Sequence, residues 1–457
     1  MWSKAIKRDL YPLSRLAFPL VLTGMVGASI GFFQMVFLAH LSQEAMAAGA
    51  LVGWLFGVFV VIIFGTLSSI NVLIAHKHGA HDVRGISRVT RDGLVLAVLL
   101  SIPAIFLFWN MAPLFLILGQ QQSLVLLAEP YLHALTWGLL PTFIVVALTE
   151  FIIGLGHGRV VVIFTLLSVA LALFFSFALI FGKFGMPALG IAGAGWGTTI
   201  SYWIMAFVLS TYLFVNKRYQ VYLKYVFKID QPFYIGELLK VGLPMGVMYC
   251  FEVGFFFVLT LIMGSLSPEL LVANQIALQY MGTLMSVIFS VAQAVTVRMG
   301  HLIGAQDFDA AKRANYAGLF ISITFMSFFA VVYCLCPNLL ISIDFEVNNP
   351  ENALIVHYTK QLFVVSAVFQ LLEATRISLF GALRALKDTY FTLITSIISF
   401  WGIALPVGYL LATRFNWGGP GLWSGMAIGA GFSLSLLLWR FNTKFYYINK
   451  AVTLHEF

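Results

Sequence analysis

Apolar residues in this chain fall in long, nearly unbroken runs. Leu94–Phe108 and Leu319–Val332 are two such runs, each interrupted only by an occasional Ser, Thr or Pro. A membrane barrel strand would alternate apolar and polar residues over about ten positions. A helix on a water-soluble surface would carry a polar stripe at a period near 3.6. These runs do neither, and their length matches the roughly twenty residues that carry a helix across a bilayer. Twelve of them recur, near 13–39, 46–74, 92–116, 132–155, 160–182, 191–215, 238–264, 271–299, 315–336, 360–383, 390–412 and 418–440. The predicted fold is all-α and integral to the membrane, with twelve transmembrane helices. Several runs exceed the minimum length, so tilt or projection beyond the lipid is expected.

Composition agrees with this pattern. Charged residues make up 10% of the chain and hydrophobic ones 61%, where a soluble domain carries about a quarter charged residues. Such a chain cannot cover a water-facing surface, and in lipid every backbone polar group must be satisfied within helices or a closed barrel. Cys250, Cys334 and Cys336 lie within or at the ends of apolar runs and read as small buried hydrophobes. The spacing of Cys334 and Cys336 is not that of a zinc or redox pair.

The net charge of +8 has a topological origin. Of the 26 Lys and Arg residues, 22 fall before or at the start of span 1, in or beside the loops that follow the even-numbered spans, or at the end of span 12 and behind it. Only Lys183, Lys360 and Arg414 lie on the other side, and Arg376 lies inside a span. The positive-inside rule then puts both termini in the cytoplasm, for a multi-pass inner-membrane protein. Nucleic acid is not needed as a partner to explain the basic balance.

The halves repeat. Shifting the chain by 225 residues brings Pro19 onto Pro244 and Leu41-Ser42-x-Glu44 onto Leu266-Ser267-x-Glu269. It also brings His76-x-x-Gly79-Ala80-x-Asp82 onto His301-x-x-Gly304-Ala305-x-Asp307, without a gap. Six spans per repeat is an even number, so the repeats share one orientation and are expected to form two parallel six-helix lobes about a pseudo-two-fold axis along the membrane normal. The expected limits are an N-lobe over 1–215, a cytoplasmic linker over 216–240 and a C-lobe over 241–457. In the repeated loop motif, Gly is expected to end one helix and Asp to cap the next. Pro19 and Pro244 are candidate hinges near the starts of spans 1 and 7.

Candidate chemistry lies in the charges that the membrane should exclude. Glu150, Glu252, Glu373 and Arg376 sit deep in apolar runs. Each charge at a helix centre costs about 2.5–3.5 kcal/mol on insertion scales, so such residues are expected to face a bundle interior or an aqueous cavity. Glu252, in Tyr249-Cys-Phe-Glu-Val-Gly-Phe-Phe-Phe257, is placed to bind and release a proton, to ligate Na⁺ or to face a cationic substrate. Glu373 and Arg376, three apart, share a helix face with Gln370. Gln275 and Gln279 form a polar stripe on span 8, next to Tyr280, that is expected to line a second-lobe cavity. Glu150 is the one such acid of the first half.

These residues, in this order, resemble the multidrug and toxic compound extrusion (MATE) family, and most of all its NorM-type branch. The resemblance rests on Pro19 through Ala48, the Gly182–Gly193 segment with Thr198-Thr199 and Tyr202-Trp203, Pro244 through Val253, Val272–Ala277, Val297–Gly304 and Gly381–Asp388. It implies a V-shaped twelve-helix fold and export of organic cations in exchange for Na⁺ or H⁺. It also implies that Glu252 and Glu373 form the ion-coupling site of the second lobe, with Na⁺ as a candidate metal ion held there. Gln279 stands where that branch has Asn. There are further departures: the span 1 aspartate of the branch is Gln34 here, Ala172 and Ser176 stand where Asn is common in span 5, Glu373 replaces a span 10 aspartate, and Arg376 also departs from the NorM-type pattern. The resemblance thus shifts coupling toward the second lobe.

The expectation is a monomeric secondary antiporter, not an enzyme, with small organic cations and membrane lipids as partners and no cofactor besides the coupling ion. Two alternatives fit less well. A flippase for a lipid-linked oligosaccharide would handle an anionic pyrophosphate and favour a basic cavity. An ATP-driven pump would need a phosphate-binding loop, and no GxxxxGK[ST] sequence occurs.

Overall fold

The computed structural model describes residues 2–455 apart from 118, 230 and 345. Among these residues it has twelve helices long and apolar enough to cross a membrane. In the first half they are α1 (Asp9–Leu41), α2 (Gln43–Gly79), α3 (Val83–Trp109), α4 (Gln122–Gly154), α5 (Gly158–Phe181) and α6 (Ile191–Val215). In the second half they are α7 (Ile235–Leu266), α8 (Pro268–Gly304), α9 (Phe308–Leu335), α10 (Pro350–Ala385), α11 (Thr389–Thr413) and α12 (Gly418–Ile448). No strand occurs among the described residues.

Several helices outrun the apolar stretches that announce them. α4 begins at Gln122 and α10 at Pro350, each about ten residues before hydropathy rises. Helix hydrogen bonds are local, so a helix continues into the headgroup region as long as its residues tolerate it. Polar residues such as Gln122 and Glu129 mark the edge of the lipid, not the end of the helix.

The repeated loop motif works as a stop and a start. Asp82 accepts from the Gly85 amide at 2.8 Å and caps α3, and Asp307 accepts from the Ala310 amide at 2.9 Å and caps α9. Glycine ends each helix as expected, though the left-handed residue is not the glycine itself. Gly79 and Gly304 are the last helical residues, and the left-handed positions are His81 (φ 56°) and Gln306 (φ 62°), two residues further on. The two positions coincide under the shift of 225.

The chain divides into two compact units, Leu22–Gly246 on one hand and Met1–Val21 with Val247–Phe457 on the other. These limits differ from the lobe limits expected at 215 and 241. The first turns of α1 pack with second-half helices: Asp9 is paired with Arg313 at 3.2 Å, and the Ser290 hydroxyl donates to the Leu20 carbonyl. The linker and the first turns of α7 pack with first-half helices. At Gly242 a Cβ would lie 2.1 Å from the Thr66 carbonyl oxygen, so α7 and α2 approach there as only glycine permits. Both division points fall two residues past a proline, Pro19 or Pro244, and each proline lies inside an unbroken helix.

One helix is irregular at a telling place. Within α11, Ile398–Ala404 widens into a π-type turn. Pro406 follows it and has no amide to give the preceding turn, which is the usual cause of such a widening. The segment carries Phe400 and Trp401, which belong to the site described next.

Candidate functional site

The second-half unit joins three of the candidate charges. Arg376 on α10 donates from Nε to Glu373 Oε2 at 2.8 Å, and its Nη2 also contacts Glu373 Oε1. The same Nη2 reaches across to α7, donating to Glu252 Oε1 at 2.9 Å. Nη1 donates to the Ser396 hydroxyl on α11 at 3.1 Å, and that hydroxyl donates to Glu252 Oε1 at 3.2 Å. The guanidinium lies between the Phe380 and Phe400 rings, 4.4 and 4.8 Å from their centroids. Arg376 is 1% exposed and the Glu252 side chain 13%. Two carboxyl groups thus share one guanidinium, and with both of them ionised the site holds one negative charge more than Arg376 cancels. Three of its four carboxylate oxygens are already engaged by arginine.

The fold places each part for a reason visible in the chain. Glu373 and Arg376 meet because they are one turn apart on α10. Glu252 is presented on the α7 side that faces α11, where the Trp401 indole donates to the Phe251 carbonyl at 3.0 Å. One level away, Arg384 on α10 donates to the Tyr249 hydroxyl on α7 at 2.8 Å, a second cross-link between the same two helices.

The other candidates of this half gather elsewhere. Gln370 donates to the Ser366 hydroxyl at 2.6 Å and to the Tyr333 hydroxyl at 3.2 Å, and its Oε1 is buried without a hydrogen-bond partner. Tyr280 donates to the Leu340 carbonyl at 2.9 Å and packs edge-on to Phe363, which stacks on Tyr333. Gln370 and Tyr280 therefore belong to one amide–aromatic cluster beside the charged site. Gln275 and Gln279 are exposed. The buried amide of that helix is their neighbour Asn274, which accepts from the Trp423 indole at 3.0 Å and donates to the Thr260 hydroxyl.

The first-half unit holds Glu150, which is 0% exposed. Its carboxylate accepts from the Asn71 amide of α2, and the Asn71 carbonyl oxygen is buried without a hydrogen-bond partner. Glu150 lines a cavity of about 180 Å³ with Gly27 and Ile30 of α1, Phe64 of α2, Thr149 of α4 and Tyr202 of α6. Gln34, one turn beyond Ile30, donates to the Thr198 hydroxyl at 2.6 Å and lies 3.5 Å from the Ser176 hydroxyl. The span 1 position that lacks an acid is thus a neutral amide tied to α6 and α5.

Sequence reasoning missed Ser396 and Asn71, the polar groups that complete the two acidic sites. A single serine or asparagine in an apolar helix gives no signal of its own, since both are common at helix contacts in membranes.

A family model, MatE, matches residues 19–178 and 244–410, one match in each half. The chain belongs to the MatE family. It is a multi-pass membrane transporter of that family, not an enzyme. The chain is 32% identical over 444 residues to the probable multidrug resistance protein NorM of Mesorhizobium japonicum, covering 96% of this chain and 94% of that one. It is 31% identical over 441 residues to the multidrug resistance protein NorM of Burkholderia vietnamiensis, covering 96% and 95%. Among solved structures, the eukaryotic MATE transporter AtDTX14 superimposes with a TM-score of 0.82 at 19% identity, over 98% of this chain and all of that one. An outward-facing multidrug resistance MATE family transporter superimposes with a TM-score of 0.87 at 17% identity, over 97% of each chain. At those identities the structures speak for the twelve-helix, two-lobe fold alone. The NorM relatives align across both halves, and so over the segments that carry Glu150, Glu252, Glu373 and Arg376.

Proposed function

We propose that the chain is a multidrug-type antiporter that exports organic cations in exchange for a proton, with both termini in the cytoplasm and the exchange carried by the second-half charged site. The observation that carries this reading is Arg376 bridging Glu252 and Glu373. The guanidinium fixes the geometry and cancels one of the two negative charges, so a single positive charge neutralises the site. A proton on Glu252 and an organic cation beside it compete for the same surplus charge, and coupling needs no more than that. A proton arriving from outside displaces the drug; its loss to the cytoplasm restores the charge that binds the next one. One-for-one exchange moves no net charge, so the membrane potential, worth about 2.3 kcal/mol per charge per 100 mV, does not contribute.

The same geometry speaks against Na⁺. Sodium prefers several oxygen ligands, and here arginine occupies three of the four carboxylate oxygens. A flippase for an anionic lipid-linked sugar would need a surplus of positive charge, and this site has the opposite sign.

The test is made in proteoliposomes with ethidium as the probe. An imposed ΔpH drives ethidium movement and a Na⁺ gradient at uniform pH does not. Transport driven by Na⁺ with the pH gradient collapsed, or full ΔpH-driven exchange in both Glu252→Gln and Glu373→Gln, overturns the reading.

A further inference from the structure

Away from the buried acids, the connector between the two halves makes an unusual cluster. Arg84 at the start of α3 and Lys224 and Lys228 of the connector all approach the ring of Tyr225, at 5.7, 5.8 and 5.4 Å from its centroid. All three cations are exposed, and none has an acidic partner among the described residues. The turn that holds them is prebuilt. The Tyr225 amide donates to the Ser87 hydroxyl at 3.3 Å, and Arg91 donates to the Lys228 carbonyl at 2.7 Å, pinning the connector to α3. Three like charges around one ring repel each other, and cation–π attraction of about 0.5–1 kcal/mol each at an exposed site is a modest offset. A bound anion removes the repulsion.

Two further features say which anion. Phe227 stacks on Phe214 of the last turn of α6, with centroids 5.6 Å apart, which sets the connector at the level of the end of that apolar helix. Phe227 and Ile229 are 81% and 88% exposed, a poor arrangement in water and a good one at the lipid boundary. The same turn sends its buried side chains inward: Leu223 and Val226 roof an apolar crevice of about 230 Å³ whose walls include Val98, Leu148 and Leu213.

We propose that this is a binding site for an anionic phospholipid, with the headgroup phosphate among Arg84, Lys224 and Lys228 and an acyl chain against the crevice. Basic pockets between transmembrane helices suit anionic headgroups, at about 1 kcal/mol per Lys or Arg. A free phosphate would use the cations but not the apolar wall. The site lies outside the transport machinery, so the lipid is a structural or modulatory partner.

The experiment measures thermal stability of the full chain in nanodiscs of phosphatidylcholine alone or with phosphatidylglycerol, alongside native mass spectrometry of retained lipid. The wild type is expected to melt higher with phosphatidylglycerol and to retain it. Lys224→Gln/Lys228→Gln, with or without Arg84→Gln, is expected to lose that increment and to bind the lipid at least about tenfold more weakly, while melting as the wild type does in phosphatidylcholine. Lys217→Gln/Arg218→Gln, equal in charge change but away from the ring, keeps the increment. Val98→Trp, which fills the crevice without changing charge, loses lipid retention. Equal retention in wild type and the Lys224/Lys228 variant overturns the proposal, as does equal protection by inorganic phosphate in detergent. If the multiple variants do not fold, Lys228→Gln alone in the same phosphatidylglycerol titration decides, with an unchanged response counting against the site.

Discussion

The two halves of the molecule share six-helix architecture and a repeated loop motif, yet they hold their buried acids differently. In the second half, Glu252 and Glu373 are held by a guanidinium from α10 and a hydroxyl from α11. In the first half, Glu150 is held by the amide of Asn71. An arginine enforces charge on at least one carboxylate and leaves the site short by one positive charge. An amide is indifferent, since it donates to a carboxylate or, turned over, accepts from a carboxylic acid. A repeat can thus preserve fold while sign and strength of charge are set separately in each copy. Gln34 makes the same point, for it keeps a hydrogen bond at the span 1 position and gives up the charge.

The comparison breaks most sharply at Arg376. Arg376→Gln leaves two carboxylates facing each other in an apolar surrounding. Removing one partner of a buried ion pair costs about 3–5 kcal/mol, and a marked loss of thermal stability in detergent is expected, together with loss of transport in liposomes. Pairing it with Glu373→Gln should recover part of the stability and none of the exchange.

In the first half the expected effects are smaller. Glu150→Leu strands Asn71 with no polar neighbour in place of the carboxylate, at about 1–3 kcal/mol for a buried unsatisfied amide. Glu150→Gln keeps the shape and a hydrogen bond to Asn71, so its melting temperature should stay close to that of the wild type. If Glu150→Gln destabilised as much as Arg376→Gln, the two halves would not differ in the way described.

The weakest effect is one of pH, and it too belongs to the first half. His157, between α4 and α5, packs edge-on to Tyr219, and its Nδ1 is buried without a hydrogen-bond partner. Burial, with help from the nearby Arg218 and His78, lowers its pKa to about 4 from 6.5. The folded protein therefore resists protonating it where the unfolded chain does not. The stability is whole above pH 6.5 and falls as pH drops toward 4. Melting curves at pH 7.5 and 5 should show a smaller loss in His157→Gln than in the wild type.

The sequence revealed the helices, their number and the buried charges, because exclusion from lipid is written in long runs and in the rarity of exceptions. Arg376 and Glu373 could be paired from their spacing alone, since neighbours one turn apart on a helix need no tertiary information. The link to Glu252 is different: it spans more than a hundred residues and depends on how α7, α10 and α11 pack, to which the π-type widening before Pro406 contributes. Periodicity placed Gln275 and Gln279 on one face, and both are exposed; it gave no sign of Asn274, the buried amide beside them. The compact units could not be read from hydropathy either. Asp9 and Gly242 sit in stretches that look like ordinary helix starts, and only the contacts to Arg313 and Thr66 show which half each joins.

The most direct test compares Glu252→Gln with Glu150→Gln, both purified to wild-type stability and reconstituted at equal density. The measurement is the initial rate of ΔpH-driven ethidium movement. Glu252→Gln is expected to fall to the rate of protein-free liposomes, and Glu150→Gln to stay within about twofold of the wild type, a barrier change below roughly 0.5 kcal/mol. Abolished transport in Glu150→Gln with retained transport in Glu252→Gln would contradict the assignment of ion coupling to the second half.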